Sequence, residues 1–142
     1  MSNFIFSILL FFCCIKFFLF YLCSTLNLFD NVTPMKIIAA SDLMKFTNNS
    51  TVNVAGLVFS KQRPKTANGV VFFYLEDETG IINIVCWENI YNKYYREILS
   101  SKLILVKGRL QKESGTINII AQSIKNISHL LKLLPYIDKP YL

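Results

Sequence analysis

From Thr51 onward the chain alternates short runs of β-branched and aromatic residues with clusters of turn formers. This punctuation restricts it to a small β architecture. Five runs stand out: Thr51 to Ser60 (TVNVAGLVFS), Gly69 to Glu76 (GVVFFYLE), Ile81 to Trp87 (IINIVCW), Ser101 to Gln111 (SKLILVKGRLQ) and Thr116 to Ser123 (TINIIAQS). Lys61 to Asn68, with Pro64 at its centre, reads as a basic loop. Asp77-Glu78-Thr79-Gly80 and Lys112-Glu113-Ser114-Gly115 read as tight hairpin turns, with Gly80 able to take positive φ. Glu88 to Leu99 breaks the alternation; Ile90, Tyr94 and Ile98 fall four apart, which predicts a helix.

Five strands with a helix between the third and fourth is the order of an OB-fold, an all-β, partly open Greek-key barrel. Gly56 and Gly108 lie inside long strand runs and predict the sharp coiling that a small barrel needs. Ser41 is a good N-cap residue, so Ser41 to Phe46 is read as one or two helical turns, ended by Thr47-Asn48-Asn49-Ser50. A short helix is expected over residues 128–134, with Pro135 and Pro140 stopping it. The organisation is thus a hydrophobic segment at 1–30, a linker with a short helix at 31–50, the barrel at 51–126 and a tail at 127–142.

Composition matters mainly at the front of the chain. Eight of the twelve Phe and three of the four Cys fall in the first thirty residues, and residues 4–28 carry one charge, Lys16. At 1.5 Å per residue a helix over this stretch is long enough to cross a hydrocarbon core of about 30 Å. A hydrophobic N-terminal helix that tethers the domain to the inner membrane is one reading; Lys36 and Lys45 would then keep the basic domain cytoplasmic. The other is a non-native translated leader, with Met35 as an alternative start. A cleaved signal peptide fits less well, because the basic n-region and a small-residue cleavage site are missing. The rest of the chain carries fourteen basic and eight acidic residues, so the whole +6 lies there and favours an anionic partner.

Nothing in the sequence assembles a catalytic set, and no metal or cofactor is expected. His129 is the single histidine, and no Gly-rich phosphate cradle is present. Asp77 and Glu78 sit in a hairpin turn, where Asp serves turn hydrogen bonds. Cys13, Cys14, Cys23 and Cys86 have no zinc or redox spacing and read as free thiols.

Binding chemistry is better represented. Alternation puts Val71, Phe73 and Leu75 on one face of the second strand and Phe72, Tyr74 and Glu76 on the other. If the first set fills the barrel, Phe72 and Tyr74 stand outside, one strand repeat apart, at a spacing that suits base stacking. On the third strand Ile82, Ile84 and Cys86 would point in, and Asn83, Val85 and Trp87 out. Lys61, Arg63 and Lys65 in the first loop, with Lys107, Arg109 and Lys112 on and after the fourth strand, are candidate phosphate contacts.

Residues 54–87 are more specific than a generic barrel. Val54-Ala55-Gly56-Leu57-Val58, Gln62-Arg63-Pro64, Thr66-Ala67, Gly69-Val70, Phe72, Leu75-Glu76-Asp77-Glu78-Thr79-Gly80, Asn83 and Trp87, followed by Lys107-Gly108-Arg109 and Ser114-Gly115, resemble the OB-fold near the C-terminus of bacterial DNA polymerase III alpha subunits. The error-prone, damage-inducible alpha subunit is the nearest of these, and the likeness covers roughly residues 40–130. The resemblance implies binding of single-stranded DNA in replication or repair. It leaves open further contacts with replication or mutagenesis proteins. Similar anticodon-binding OB-folds stack on the aromatic three residues before the strand-two Leu, which Phe72 matches, and use a polar residue three after the hairpin Gly, which Asn83 matches. The alpha subunit is far longer, so this chain looks like a truncated fragment without the palm, and polymerisation is not expected of it alone. Two alternatives remain: a membrane-tethered OB protein of haem-chaperone type, although Ser-His-Leu-Leu around His129 does not resemble that motif, and a protein-docking remnant.

Overall fold

The computed structural model describes residues 36–65 and 68–133. The hydrophobic segment at 4–28, with its membrane reading, lies outside them, as do Thr66, Ala67, Pro135 and Pro140. Among the described residues no helix is long and apolar enough to cross a membrane.

The described strands are β1 (Thr51–Gln62), β2 (Val71–Asp77), β3 (Gly80–Cys86), β4 (Leu103–Glu113) and β5 (Thr116–Asn126). They close into a barrel in the order β1-β2-β3-β5-β4, with β4 returning to β1. All pairings are antiparallel except β3 with β5, which is parallel over Asn83↔Asn118 to Val85↔Ile120. The expected OB-fold is therefore present, and β1 and β5 extend past their predicted ends. β1 is long because it serves two neighbours: Thr51 to Leu57 pair with β4, and Leu57 to Gln62 pair with β2.

The two strand glycines do more than permit a bend. A Cβ on Gly56 would lie 2.8 Å from the Glu76 carbonyl oxygen of β2. One on Gly108 would lie 2.5 Å from the Ile120 carbonyl oxygen of β5. Each glycine lets a neighbouring strand's backbone approach closer than any side chain would allow.

The barrel interior is filled by Val54, Phe73, Leu75, Ile82, Ile84, Val106, Leu110 and Ile119, all essentially inaccessible to water. Each contributes about 1.5–3 kcal/mol by burial. The helical interval is two short pieces, α1 (Glu88–Lys93) and α2 (Tyr95–Ser100), broken at Tyr94, where φ is −109° and ψ 23°. Ile98 is buried, and Ile90 and Tyr94 pack beside it against the barrel, as the four-residue spacing predicts.

Ser41 is not the N-cap of the first helical turn. A 3-10 helix runs over Ala40–Lys45 with Ala39 at its cap and no capping side chain of its own. Its first amides are met from the β2–β3 turn: Ala40 N–H donates to Asp77 Oδ2 at 2.7 Å, and Ser41 N–H to Thr79 Oγ1 at 3.0 Å. The capping function is supplied across the fold rather than locally.

The start of the tail packs on the barrel. A 3-10 helix over Ser128–Leu133 lies against the outside of β1 and β4, where Ala55, Leu103, Leu105 and Ile127 form a second apolar cluster with Leu57, Leu130 and Leu131. Ser128 fixes the crossing, its Oγ accepting from the Lys102 and Leu103 amides at 2.9 and 3.2 Å.

Candidate nucleic-acid interface

The outer face of β2 and β3 is built by strand alternation. Val71, Phe73, Leu75 and Asp77 of β2 are buried, while Phe72, Tyr74 and Glu76 between them are half-exposed. On β3, Ile82, Ile84 and Cys86 are buried and Asn83 and Val85 are half-exposed. Register places Phe72 opposite Val85, Tyr74 opposite Asn83 and Glu76 opposite Ile81. Phe72 and Tyr74 are thus outward on one face, about 7 Å apart along the strand. The opposite alternation, with both rings in the core, is not what the chain adopts.

Asn83 does two things at once. Its Nδ2 donates to the Ile117 carbonyl of β5 at 3.2 Å, so it stitches the parallel β3–β5 seam while lying across from Tyr74. Trp87 is 52% exposed at the end of β3, where its carbonyl accepts the Tyr91 amide at 2.8 Å and starts α1. Cys86, just before it, is buried, and burial pushes its thiol up to about 12.

The cations fall into different settings. Arg63 lies beyond β1, 3.4 Å from Glu88 Oε1 and 5.2 Å over the Tyr91 ring, so it docks the first loop onto α1. This exposed pair adds at most about 1 kcal/mol, which leaves the guanidinium free to exchange its partner. Lys65 is exposed on the same loop. The Lys61 ammonium donates to the Ile98 carbonyl in the last turn of α2, and burial lowers its pKa. Lys107 and Arg109 are exposed on β4, whose neighbours are β1 and β5, so they occupy a different wall of the barrel from Phe72 and Tyr74. Lys112 Nζ donates to the Met44 carbonyl at 2.6 Å and its amide to Asn48 Oδ1 at 2.9 Å, which ties the β4–β5 hairpin to the first 3-10 helix and to the loop before β1.

Asp77 has the turn role that its position predicts. Its Oδ1 accepts from Thr79 N–H (2.7 Å), Thr79 Oγ1 (2.7 Å) and Gly80 N–H (2.9 Å), while Oδ2 holds Ala40.

One exposed aromatic escapes the alternation argument. β1 bulges between Val58 and Ser60, and the extra residue, Phe59, is 66% exposed. In the sequence Phe59 ends a consecutive apolar run, Leu57-Val58-Phe59, which breaks the period of two without marking which residue is the extra one.

A family model described as an OB-fold nucleic acid binding domain matches residues 52–127, more than half of the chain. The chain belongs to this OB-fold family. The matched span runs from the second residue of β1 to the residue after β5, so it contains all of the barrel of this OB-fold domain except Thr51. Among curated relatives, error-prone DNA polymerase 1 of Rhizobium meliloti (strain 1021) is 46% identical over 98 residues, covering 69% of this chain and 9% of that protein. The error-prone DNA polymerase of Pseudomonas syringae pv. tomato is 41% identical over 93 residues, covering 66% of this chain and again 9% of the relative. The chain therefore spans 9% of the length of these relatives. Among solved structures, asparaginyl-tRNA synthetase from Pyrococcus horikoshii superposes with a TM-score of 0.57 at 16% identity, over 66% of this chain and 23% of that one. Aspartyl-tRNA synthetase from Entamoeba histolytica gives 0.56 at 16% identity, over 68% of this chain and 22% of that one. At this identity the two structures support the fold.

Proposed function

We propose that this OB-fold domain binds single-stranded DNA across the outer face of β2 and β3, as a binding module in error-prone DNA synthesis, repair or replication in the cytoplasm. The observation that carries the reading is the outward placement of Phe72 and Tyr74 beside Asn83, in a domain of a nucleic-acid-binding family. Two ring faces one strand repeat apart receive successive bases, and every base has a face to offer, so the contact is sequence-tolerant. Trp87 closes the β3 end of the same surface. Arg63 and Lys65 neutralise phosphates at the β1–β2 loop, with Lys61 behind them against α2. Lys107, Arg109 and Lys112 reach only a strand long enough to pass around the barrel. The module contributes binding, and no polymerisation step is assigned to it; the Asp77 carboxylate is committed to its turn.

The test is a titration of the full chain with oligothymidylate, followed by the fluorescence of Trp87, the single tryptophan. The reading predicts quenching on binding and a log–log salt slope of about −0.7 per phosphate contacted. Unchanged emission with no salt-dependent binding would overturn it.

A further inference from the structure

A second surface continues the proposed DNA path. Past Val58, whose amide still donates to the Lys102 carbonyl at 2.8 Å, β1 parts from the chain leading into β4, and an open cleft of about 1120 Å³ lies between residues 57–61, the 100–102 junction and the 3-10 helix of the tail. Leu57, Phe59 and Leu131 give it an apolar floor, and Lys102, His129 and Lys132 stand on its rim. No acidic residue lines it among the described residues. The cleft adjoins the β2 face directly: Ser60, a lining residue, pairs with Tyr74, and the bulge sets Phe59 beside it. Adjacent strands are about 4.8 Å apart, so Phe59 stands within one nucleotide's reach of Tyr74.

We infer that this cleft is a further nucleotide subsite, in which Phe59 stacks a base and Lys102 and Lys132 hold its flanking phosphates. The inference rests on the single-stranded DNA reading and extends it by direction: the strand leaves the β2–β3 face across β1, toward the tail helix. An apolar floor under a cationic rim without carboxylates suits a base with its phosphates. The bulge, which turns a large apolar ring out to water, then has a use on the binding path.

The experiment measures affinities of the full chain for oligothymidylates of about four and about twelve nucleotides, a short and a long length within the range of about 4–16 nucleotides that one OB-fold occupies. It compares wild type, Phe59→Ala, Lys102→Glu with Lys132→Glu, and Phe72→Ala with Tyr74→Ala. Circular dichroism checks that each variant is folded. Phe59→Ala and the charge reversals are expected to weaken the long oligonucleotide by about tenfold or more while leaving the short one within about twofold. The Phe72 and Tyr74 changes are expected to weaken both. If the long oligonucleotide binds Phe59→Ala and the charge-reversed protein as it binds wild type, while the Phe72 and Tyr74 changes still weaken it, the subsite is overturned and the β2–β3 reading stands. If wild type binds neither oligonucleotide, both are overturned.

Discussion

The carboxylate of Asp77 holds the backbone amide of Ala40 at 2.7 Å, across thirty-seven positions of chain. One side chain thereby closes the β2–β3 turn and starts the 3-10 helix before β1. Asp77 is buried, so loss of the carboxylate would leave these amides without their acceptor. Asp77→Ala is predicted to destabilise the domain by about 2–4 kcal/mol, read from the urea midpoint. Thr79→Ala, which removes one donor and one acceptor at the exposed edge, is predicted to cost about 1 kcal/mol or less.

Gly108 and Gly115 separate two causes of glycine dependence. At Gly108 a Cβ would meet the Ile120 carbonyl oxygen at 2.5 Å and the Ile119 side chain at 2.6 Å, so β4 and β5 must part. Gly108→Ala is predicted to destabilise by about 3 kcal/mol through overpacking. At Gly115, φ is +81° and nothing lies within 4 Å, so only the left-handed backbone resists a side chain. Gly115→Ala is predicted to destabilise by about 1 kcal/mol. Equal losses in thermal unfolding would contradict this division.

Burial raises the Cys86 thiol from 9.0 to about 12, and the sign of the linkage follows. The folded state keeps the proton more tightly than the unfolded chain. The corresponding stability is fully present below pH 9.0 and is lost progressively as pH climbs toward about 12. At pH 8 Cys86 is predicted to resist iodoacetamide until the domain unfolds, as read by peptide mass mapping. Alkylation of Cys86 in the folded domain at the rate of a free peptide would be at odds with its burial.

How much of this was legible beforehand depended on whether the cause was local. Strand alternation divides β2 into two faces, but Phe72 and Tyr74 on one are nearly as apolar as Phe73 and Leu75 on the other, so the sequence left the buried face as a two-way choice that the structure settles by burying Phe73 and Leu75. The order of five strand runs and one helical run carried the fold, and alternation put Phe72 and Tyr74 on one shared face of β2. The capping of Ala40 by Asp77 was not legible, since the partner lies in another element. Nor was the Lys61 contact with the Ile98 carbonyl, which exists only once α2 packs beside β1. Phe59 was hidden because a bulge adds one residue and defeats the two-residue period on which the reading relied.

Position on the barrel sorts the cations. Arg63 and Lys65 flank the Phe72 end of the proposed path, whereas Lys107 and Arg109 lie on the β4 wall. On a short oligonucleotide, Arg63→Ala with Lys65→Ala is predicted to reduce the salt slope by about 1.4, at about 0.7 per phosphate contact. Lys107→Ala with Arg109→Ala is predicted to leave it unchanged. Equal reductions would mean that a short strand reaches the β4 wall.

The most direct measurement compares the affinity of the full chain for a single-stranded oligonucleotide with and without the two outward rings. Phe72→Ala combined with Tyr74→Ala is predicted to lose about 2–6 kcal/mol of binding free energy at constant salt, from about 1–3 kcal/mol per stacked base. The urea midpoint should move far less, because both residues are only half-buried. Binding as tight as wild type by the folded double variant would contradict the account.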